Sequence, residues 1–176
     1  MQEKPISTEE LREFLVKAKR EGYASGKEAT KLSSGEKMFE FKDGLWRYLD
    51  ICKGGDKFFS GDEKVFHKGS LVWKMGYDGG VESSTGRNKS EEVYVFLKEV
   101  LKDVKEEIPF RGPFMFRRED FLYLNSIHGD IERFNGNESI HFNPRMSEEN
   151  SKSEFLKGAI QVYSLVYRGG LFKISD

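Results

Sequence analysis

The chain has 176 residues, of which 37% are hydrophobic and 34% are charged, and its formal net charge is −1. This length and apolar content suffice for one well-cored domain, and the near-zero charge gives no electrostatic reason to expect nucleic acid as a partner. The sequence contains no continuous apolar run of about 18 residues, so we expect no membrane span.

The single cysteine, Cys52, excludes an internal disulfide. The first residues are charged and lack the apolar core of a signal peptide. Because a reducing compartment is the usual setting for such a chain, we expect a cytoplasmic location.

Residues 7–22 have the pattern of an amphipathic helix. Ser7 and Glu10 have the spacing of a capping box, in which each side chain accepts a hydrogen bond from the backbone amide of the other residue. Apolar residues then recur at the spacing of one helix face: Leu11, Phe14, Leu15 and Ala18. We predict a helix that begins at this box and ends near Gly22.

Residues 24–37 are rich in Ser, Gly and Lys and predict a loop, after which the apolar period falls to two. The predicted strands cover residues 38–42, 45–52, 58–59, 64–67 and 70–77. Asp43-Gly44 favours a tight hairpin, because glycine takes positive φ angles readily. Ser60-Gly61-Asp62 predicts a break between the third and fourth strands.

A second helix and a second group of strands follow. Residues 88–91 have a box-like start, and an apolar stripe continues to Val104 before Pro109 stops the helix. The predicted strands cover residues 114–117, 121–127, 131–134, 139–142 and 159–168, with a short one at 171–174. The polar residues 143–152 predict a loop.

The two halves resemble each other. When residues 39–67 are shifted by 75 positions onto residues 114–142, eight of the 29 positions are identical. Such self-similarity marks a supersecondary unit used more than once. We therefore predict one α+β domain over residues 1–176, built from two pseudo-repeated units at about 7–82 and 88–174. Each unit would be one helix followed by a four- to five-stranded antiparallel meander.

The last strand of each half carries bulky residues on one side, and we expect these sides to line the centre of the structure. They are Leu71, Trp73, Met75 and Tyr77 in the first half and Tyr163, Leu165 and Tyr167 in the second.

Several short patterns together resemble a known family. They are Arg47-Tyr48-x-Asp50, Gly54-Gly55, Trp73-x-Met75-x-Tyr77-x-Gly79, Pro109-Phe-Arg-Gly-Pro113, Phe134-x-Gly136-x-Glu138 and Tyr167-x-Gly-Gly-Leu171. The combination resembles a bacterial and archaeal family known as a domain of unknown function, found alone or C-terminal to a helix-turn-helix DNA-binding domain of the XRE type. The resemblance implies an effector-sensing or dimerisation role and supplies no catalytic residues.

Arg47, Tyr48, Asp50, Trp73 and Tyr77 form the candidate ligand pocket. Tyr48 and Asp50 share one strand face, as do Trp73 and Tyr77 on theirs. Aromatic walls with one or two polar groups are typical of small-molecule sites. Ordinary core packing with satisfied hydroxyl groups is the alternative.

Arg111 belongs to the candidate pocket as well, because the rigid turn Pro-Phe-Arg-Gly-Pro presents it toward an anionic group. Arg117 and Arg118 extend a basic stretch among aromatic residues, a pattern that can bind single-stranded nucleic acid. Glu119 and Asp120 follow at once, so a solvated strand edge is the better interpretation, and we expect no nucleic-acid partner.

Glu63 and Glu138 occupy equivalent positions in the two halves, each after a Gly-x step. The simpler interpretation is that each carboxylate accepts hydrogen bonds from turn amides and fixes a hairpin. The alternative is an acid and base pair in one cleft, as a hydrolase would use.

No other residue type points to a cofactor. Cys52 has no local base, and His67, His128 and His141 lack metal-ligand spacing. The double glycines match neither phosphate-binding motif. We expect no metal and no cofactor.

These patterns favour a non-enzymatic domain that binds a small molecule or a partner protein. The alternatives are a hydrolase-like enzyme that uses Glu63 or Glu138, and a structural module that forms a homodimer through an exposed strand edge.

Overall fold

The computed structural model of the chain describes residues 6–145 and 150–172. Its strands are β1 Thr30–Lys31, β2 Lys37–Asp43, β3 Trp46–Gly54, β4 Phe59–His67, β5 Ser70–Val81, β6 Met115–Arg118, β7 Phe121–Gly129, β8 Arg133–Phe142 and β9 Ile160–Leu171. They form one sheet of nine strands in the order β1-β2-β3-β4-β5-β9-β8-β7-β6, and neighbouring strands are antiparallel throughout.

Two long helices, α1 Thr8–Glu21 and α2 Arg87–Lys102, contact each other and the sheet. Helix α1 contacts β2 and β3, whereas α2 contacts β7 and β9. A 3₁₀ turn at Tyr23–Ser25 follows α1, and a short helix, α3 Lys152–Leu156, precedes β9. Buried residues of both long helices and of the sheet form one hydrophobic cluster.

The two central strands bury the predicted sides. On β9, Tyr163, Leu165 and Tyr167 are buried, whereas Ser164 between them is half-buried and Val166 and Arg168 on either side of Tyr167 are exposed. On β5, three of the four predicted residues, Trp73, Met75 and Tyr77, are buried, and Leu71 is half-buried. Because alternate residues of a strand face opposite sides of the sheet, this alternation predicts the buried face correctly.

The prediction of a domain built from two repeated helix-and-meander units is wrong. Strands β5 and β9 pair over nine residue pairs, from Trp73–Leu171 to Val81–Tyr163, and this pairing joins all nine strands into one sheet. Local patterns predict strands and turns, but pairing between strands about 90 residues apart depends on which edges must be covered. A bulky, aromatic strand left at an edge would expose its backbone to other chains.

Two predicted strand breaks are also wrong, because β4 continues through Gly61 and β8 continues through Gly136. A Cβ atom at Gly61 would collide with the hydroxyl group of Tyr77, and one at Gly136 with that of Tyr167. Both glycines therefore allow the close approach of a tyrosine within the sheet, a second use of strand glycine besides turns.

Helix α1 agrees with the predicted bounds: the Ser7 hydroxyl accepts from the amide of Glu10 at 3.5 Å, and Gly22 is the C-cap. Of the predicted capping box, this is the half that is present among the described residues. Helix α2 differs, since Gly86 is its N-cap without a side-chain hydrogen bond and it ends at Lys102, well before Pro109. Residues 173–174 of the last predicted strand and residues 146–149 of the predicted polar loop lie outside the described residues.

Candidate functional site

A cavity of about 570 Å³ lies between the sheet and the long helices. Strands β2 to β5 form one side, and the end of α1, helix α2 and the segments at residues 23–37 and 104–111 form the rest. Aromatic side chains supply much of its wall: Tyr23, Phe39, Tyr48, Phe59, Tyr77, Tyr94 and Phe110.

Alternation along the strands brings these side chains to one face. Tyr48, Asp50 and Cys52 are alternate residues of β3, and their register partners on β4 are Val65, Glu63 and Gly61. Phe59 meets Tyr77 edge-on, with ring centres 6.0 Å apart. Edge-on pairs of this kind are favourable and hold both rings in fixed orientations.

A buried ion pair lies at the floor of the cavity. The Lys19 ammonium group donates to the Glu63 carboxylate, and the two side chains are only 10% and 3% exposed. Burial lowers the pKa of Lys19, although the charge of Glu63 opposes this shift. The Lys19 Nζ atom also lies 5.9 Å from the ring centre of Tyr48, within the range of a cation–π contact.

Asp50 is the second acidic group at the floor. It accepts a hydrogen bond of 2.7 Å from the Tyr77 hydroxyl group. Burial, together with the charge of Glu63, raises the pKa of Asp50 to about 7, against the opposing effects of Tyr77, Lys19 and Arg111. Near neutral pH this carboxyl group can therefore both accept and release a proton.

Arg111 lines the cavity from the segment before β6. One of its Nη atoms donates to Glu138 at 2.6 Å, and Glu138 also accepts from the hydroxyl groups of Tyr123 at 2.5 Å and Tyr163 at 2.9 Å. The Nε atom of Arg111 is buried and has no hydrogen-bond partner among the described residues. Both oxygen atoms of the Glu138 carboxylate thus accept hydrogen bonds, whereas the Arg111 guanidinium retains donor capacity.

The cavity brings together four of the six residues predicted to bind ligand, namely Tyr48, Asp50, Tyr77 and Arg111. Glu63, the alternative catalytic residue, lines the same cavity. That these residues bind a ligand stays a prediction.

The other two predicted residues lie elsewhere. Arg47 precedes Tyr48, so strand alternation directs its side chain to the opposite face, where Nε donates to Glu40 at 2.7 Å. Trp73 is completely buried and stacks on Phe134, with ring centres 5.7 Å apart.

The turn-amide interpretation of Glu63 and Glu138 is wrong. Both residues lie within strands, and their carboxylates are bound by buried side chains rather than by turn amides. Glu138 lies behind Arg111 with no exposed side-chain surface, so its separation from the cavity also removes it from the predicted shared cleft.

Lys19 is a residue of the site that the sequence patterns did not single out. A signal for it exists, because Leu11 and Leu15 are buried residues of α1 and Lys19 continues their i, i+4 series on the same helix face. A charged residue in such a series is either exposed at the end of the stripe or held by a buried partner.

The described residues contain no group of three or more His, Cys, Asp or Glu side chains suited to hold a metal ion. Within the same part of the chain, no helix combines the length and the apolar character needed to cross a membrane.

The comparisons with known proteins identify one family. Neither a curated protein nor a solved structure matches the chain. The model of the family described as "Domain of unknown function (DUF5680)" matches residues 50–160, a span that includes Asp50, Glu63, Tyr77 and Arg111. The chain belongs to this family of domains of unknown function.

Proposed function

We propose that the protein binds a small molecule in the cavity, as a ligand-binding or sensor domain without catalytic activity. The supporting observation is the combination of size and lining: about 570 Å³, aromatic walls and a floor of buried polar groups. Cavities of about 300–1,000 Å³ with few convergent polar groups are typical of small-molecule sites.

The buried charges at the floor support this proposal. An ion pair such as Lys19–Glu63 contributes less to folding than well-packed apolar residues of the same volume would, because both charges lose water. Two ionised groups and a further carboxyl group, Asp50, beside an open cavity therefore suggest a role in recognition. A sensor role also agrees with the helix-turn-helix association that the family resemblance implies.

A thermal-shift screen of metabolites tests the proposal. A ligand present at 100 times its Kd should add about 2.7 kcal/mol of apparent stability. Cys52, the only cysteine, lines the cavity and can report the location of binding. A compound bound in the cavity should slow the reaction of Cys52 with a thiol reagent at mildly alkaline pH, which is needed because burial raises the pKa of this thiol.

Each outcome of the screen and of the thiol assay either supports or contradicts binding in the cavity. Stabilising compounds that also protect Cys52 support the proposal. Compounds that stabilise the protein without protecting Cys52 bind elsewhere and contradict it, as does a broad library without a hit. A Cys52→Ser variant should keep the stabilising hits, since the thiol serves only as the reporter.

A second candidate function is acid–base catalysis, favoured by the raised pKa of Asp50 beside Glu63. In this case Asp50 would transfer the proton, whereas Glu138 lies too far behind Arg111 to take part. Turnover separates the candidates: an enzyme would bind its substrate as the Asp50→Asn variant but no longer convert it, whereas a binding protein converts no compound with or without this substitution.

A further inference from the structure

The cavity has an excess of positive charge. Seven cationic side chains line it, against four acidic ones: Glu28, Asp50, Asp56 and Glu63. This excess is local, because the whole chain has a formal net charge of −1. A concave surface of one sign attracts ligands of the opposite sign and raises their local concentration.

Among the described residues, carboxylates neutralise three of these cations. Lys19 pairs with Glu63, Arg111 pairs with Glu138, and Lys27 pairs with Glu21 at 2.6 Å.

Of the other four, Lys53 follows Cys52 on β3, so strand alternation directs its side chain to the opposite face of the sheet. Lys31, Lys37 and Lys98 form no ion pair within the described part of the chain. Lys31 and Lys37 are exposed, and Lys98 lies over the ring of Tyr23, with Nζ 5.3 Å from its centre. These three residues, called the mouth lysines below, are available to an anion that enters from solvent.

Arg111 independently indicates that the cavity binds an anion. Its side chain is 10% exposed, it lines the cavity, and its buried Nε atom has no partner among the described residues. A guanidinium offers five donors in a planar arrangement that matches carboxylate and phosphate oxygens. Glu138 occupies one edge, so the guanidinium keeps donors for a second oxyanion.

The acidic residues at the floor of the cavity do not cancel its preference for an anionic ligand. Lys19 neutralises the charge of Glu63, and Asp50 is only partly ionised near neutral pH because burial raises its pKa to about 7. The aromatic side chains, among them Phe39 and Phe59, supply flat apolar surface on the wall.

We infer that the ligand is a small organic acid with a planar apolar ring, whose oxyanion group contacts Arg111 while the mouth lysines attract it; this inference rests on the proposed function. Carboxylates and phosphate esters share the required chemistry. A neutral or cationic molecule with the same ring would lack the charge that the cavity selects.

Matched compounds test this inference. Phenylacetate, indole-3-acetate and phenyl phosphate are compared by calorimetry and thermal shift with phenylacetamide, indole-3-acetamide and tryptamine, beside the metabolite library of the preceding section. We expect the acids to bind at least about tenfold more tightly than the amides and the amine, since only the acids offer a negatively charged acceptor to the guanidinium and ammonium donors. Carboxylate and phosphate probes then show which oxyanion is preferred.

Binding of the acids should weaken as salt rises from about 20 to 200 mM, because ions screen the mouth lysines. Lys98→Gln should weaken binding about two- to fivefold, a range typical of one partly exposed charge. Lys102→Gln is the matched control, since Lys102 lies one turn further along α2 and does not line the cavity, and it should leave affinity unchanged.

Arg111→Lys keeps the positive charge beside Glu138 but removes the planar donor set. It should weaken acid binding about tenfold or more, and urea unfolding checks that the variant is folded. If this variant is unfolded, the inference is tested instead by comparing the affinities of Lys98→Gln and Lys102→Gln for the acids.

Neutral or cationic hits without acid hits would overturn the inference and leave the proposed function intact. Equal effects of Lys98→Gln and Lys102→Gln would overturn it too. A library and probe set without any binder would overturn the proposed function and this inference together.

Discussion

Asp50 and Glu63 are register partners on adjacent strands, and both are buried at the floor of the cavity. Like charges directly opposite each other on one sheet face are destabilising. Lys19 compensates Glu63, and the Tyr77 hydroxyl group compensates Asp50 only in part. The pKa of Asp50 therefore lies at about 7 in the folded protein, because burial and the nearby Glu63 charge both favour its protonated form.

The first prediction concerns the pH dependence of stability. The folded protein binds the Asp50 proton more tightly than the unfolded chain does, because the pKa is raised from the ordinary value of 3.8 to about 7. Its stabilising contribution is fully present below pH 4 and is lost as pH rises through 7. This group should lower the free energy of unfolding by up to about 4 kcal/mol over that interval.

Urea unfolding of the wild type and of Asp50→Asn between pH 4 and 8 measures this contribution. The asparagine variant should lack it, so the two stability curves should differ in slope over that interval. Asp62→Asn is the control, because Asp62 is exposed on the same strand as Glu63. Parallel curves for the wild type and Asp50→Asn would contradict the prediction.

The second prediction concerns the Lys19–Glu63 pair. Lys19→Met or Glu63→Gln leaves one buried partner uncompensated, and each should lower the free energy of unfolding by about 3–5 kcal/mol. The double variant should lose clearly less than the sum. A double-mutant cycle by urea unfolding gives the coupling energy.

The Lys17–Asp43 pair is a matched control on the same helix, since its side chains are 57% and 49% exposed. Its coupling energy should stay below about 1 kcal/mol. Additive effects at Lys19 and Glu63 would mean that the buried pair contributes no mutual stabilisation.

The local parts of the fold were predictable from the sequence. The cap at Ser7 and the apolar stripe predict α1, and alternation along β5 and β9 predicts which strand faces are buried. Alternation also explains why Tyr48 and Asp50 line the cavity together. Each of these features depends on residues close together in the chain, whose spacing decides which face they occupy.

The long-range parts were not predictable from local patterns. The pairing of β5 with β9 creates the single sheet, and no short motif encodes it. The prediction of a turn at Gly61 is wrong because a glycine needed for close packing looks the same in sequence as one needed for a turn. Alternation puts Trp73 on the same strand face as Tyr77, but packing against Phe134 places Trp73 in the core rather than at the cavity.

The third prediction tests the role of Gly61. An alanine Cβ atom would collide with the Tyr77 hydroxyl group and with the backbone oxygen of Ile51. Gly61→Ala should therefore lower the free energy of unfolding by about 1–3 kcal/mol, the usual cost of overpacking. It should also displace the hydroxyl group that donates to Asp50.

Gly76→Ala is the control within the same sheet, because its Cβ atom would lie 3.5 Å from the nearest atom, an Asp62 carboxylate oxygen, which is ordinary contact. Urea unfolding compares the two variants. Equal effects of the two alanine substitutions would rule out a special role for Gly61.

The fourth prediction concerns the fully buried Glu138 carboxylate, which accepts from Arg111, Tyr123 and Tyr163. Glu138→Gln leaves the buried guanidinium without its counter-charge and should lower the free energy of unfolding by about 3–5 kcal/mol. Tyr163→Phe removes one neutral donor while the charge pair stays, so it should lose only about 1–2 kcal/mol.

Glu91→Gln provides the reference for this last comparison, because the Glu91 side chain is 72% exposed and its contact with Arg87 is 3.9 Å long. It should change stability by less than about 0.5 kcal/mol. The expected order of destabilisation in urea is therefore Glu138→Gln, then Tyr163→Phe, then Glu91→Gln. A Glu138→Gln variant as stable as Tyr163→Phe would show that Arg111 obtains its compensation elsewhere, and the donor capacity assigned to its guanidinium would then have to be withdrawn.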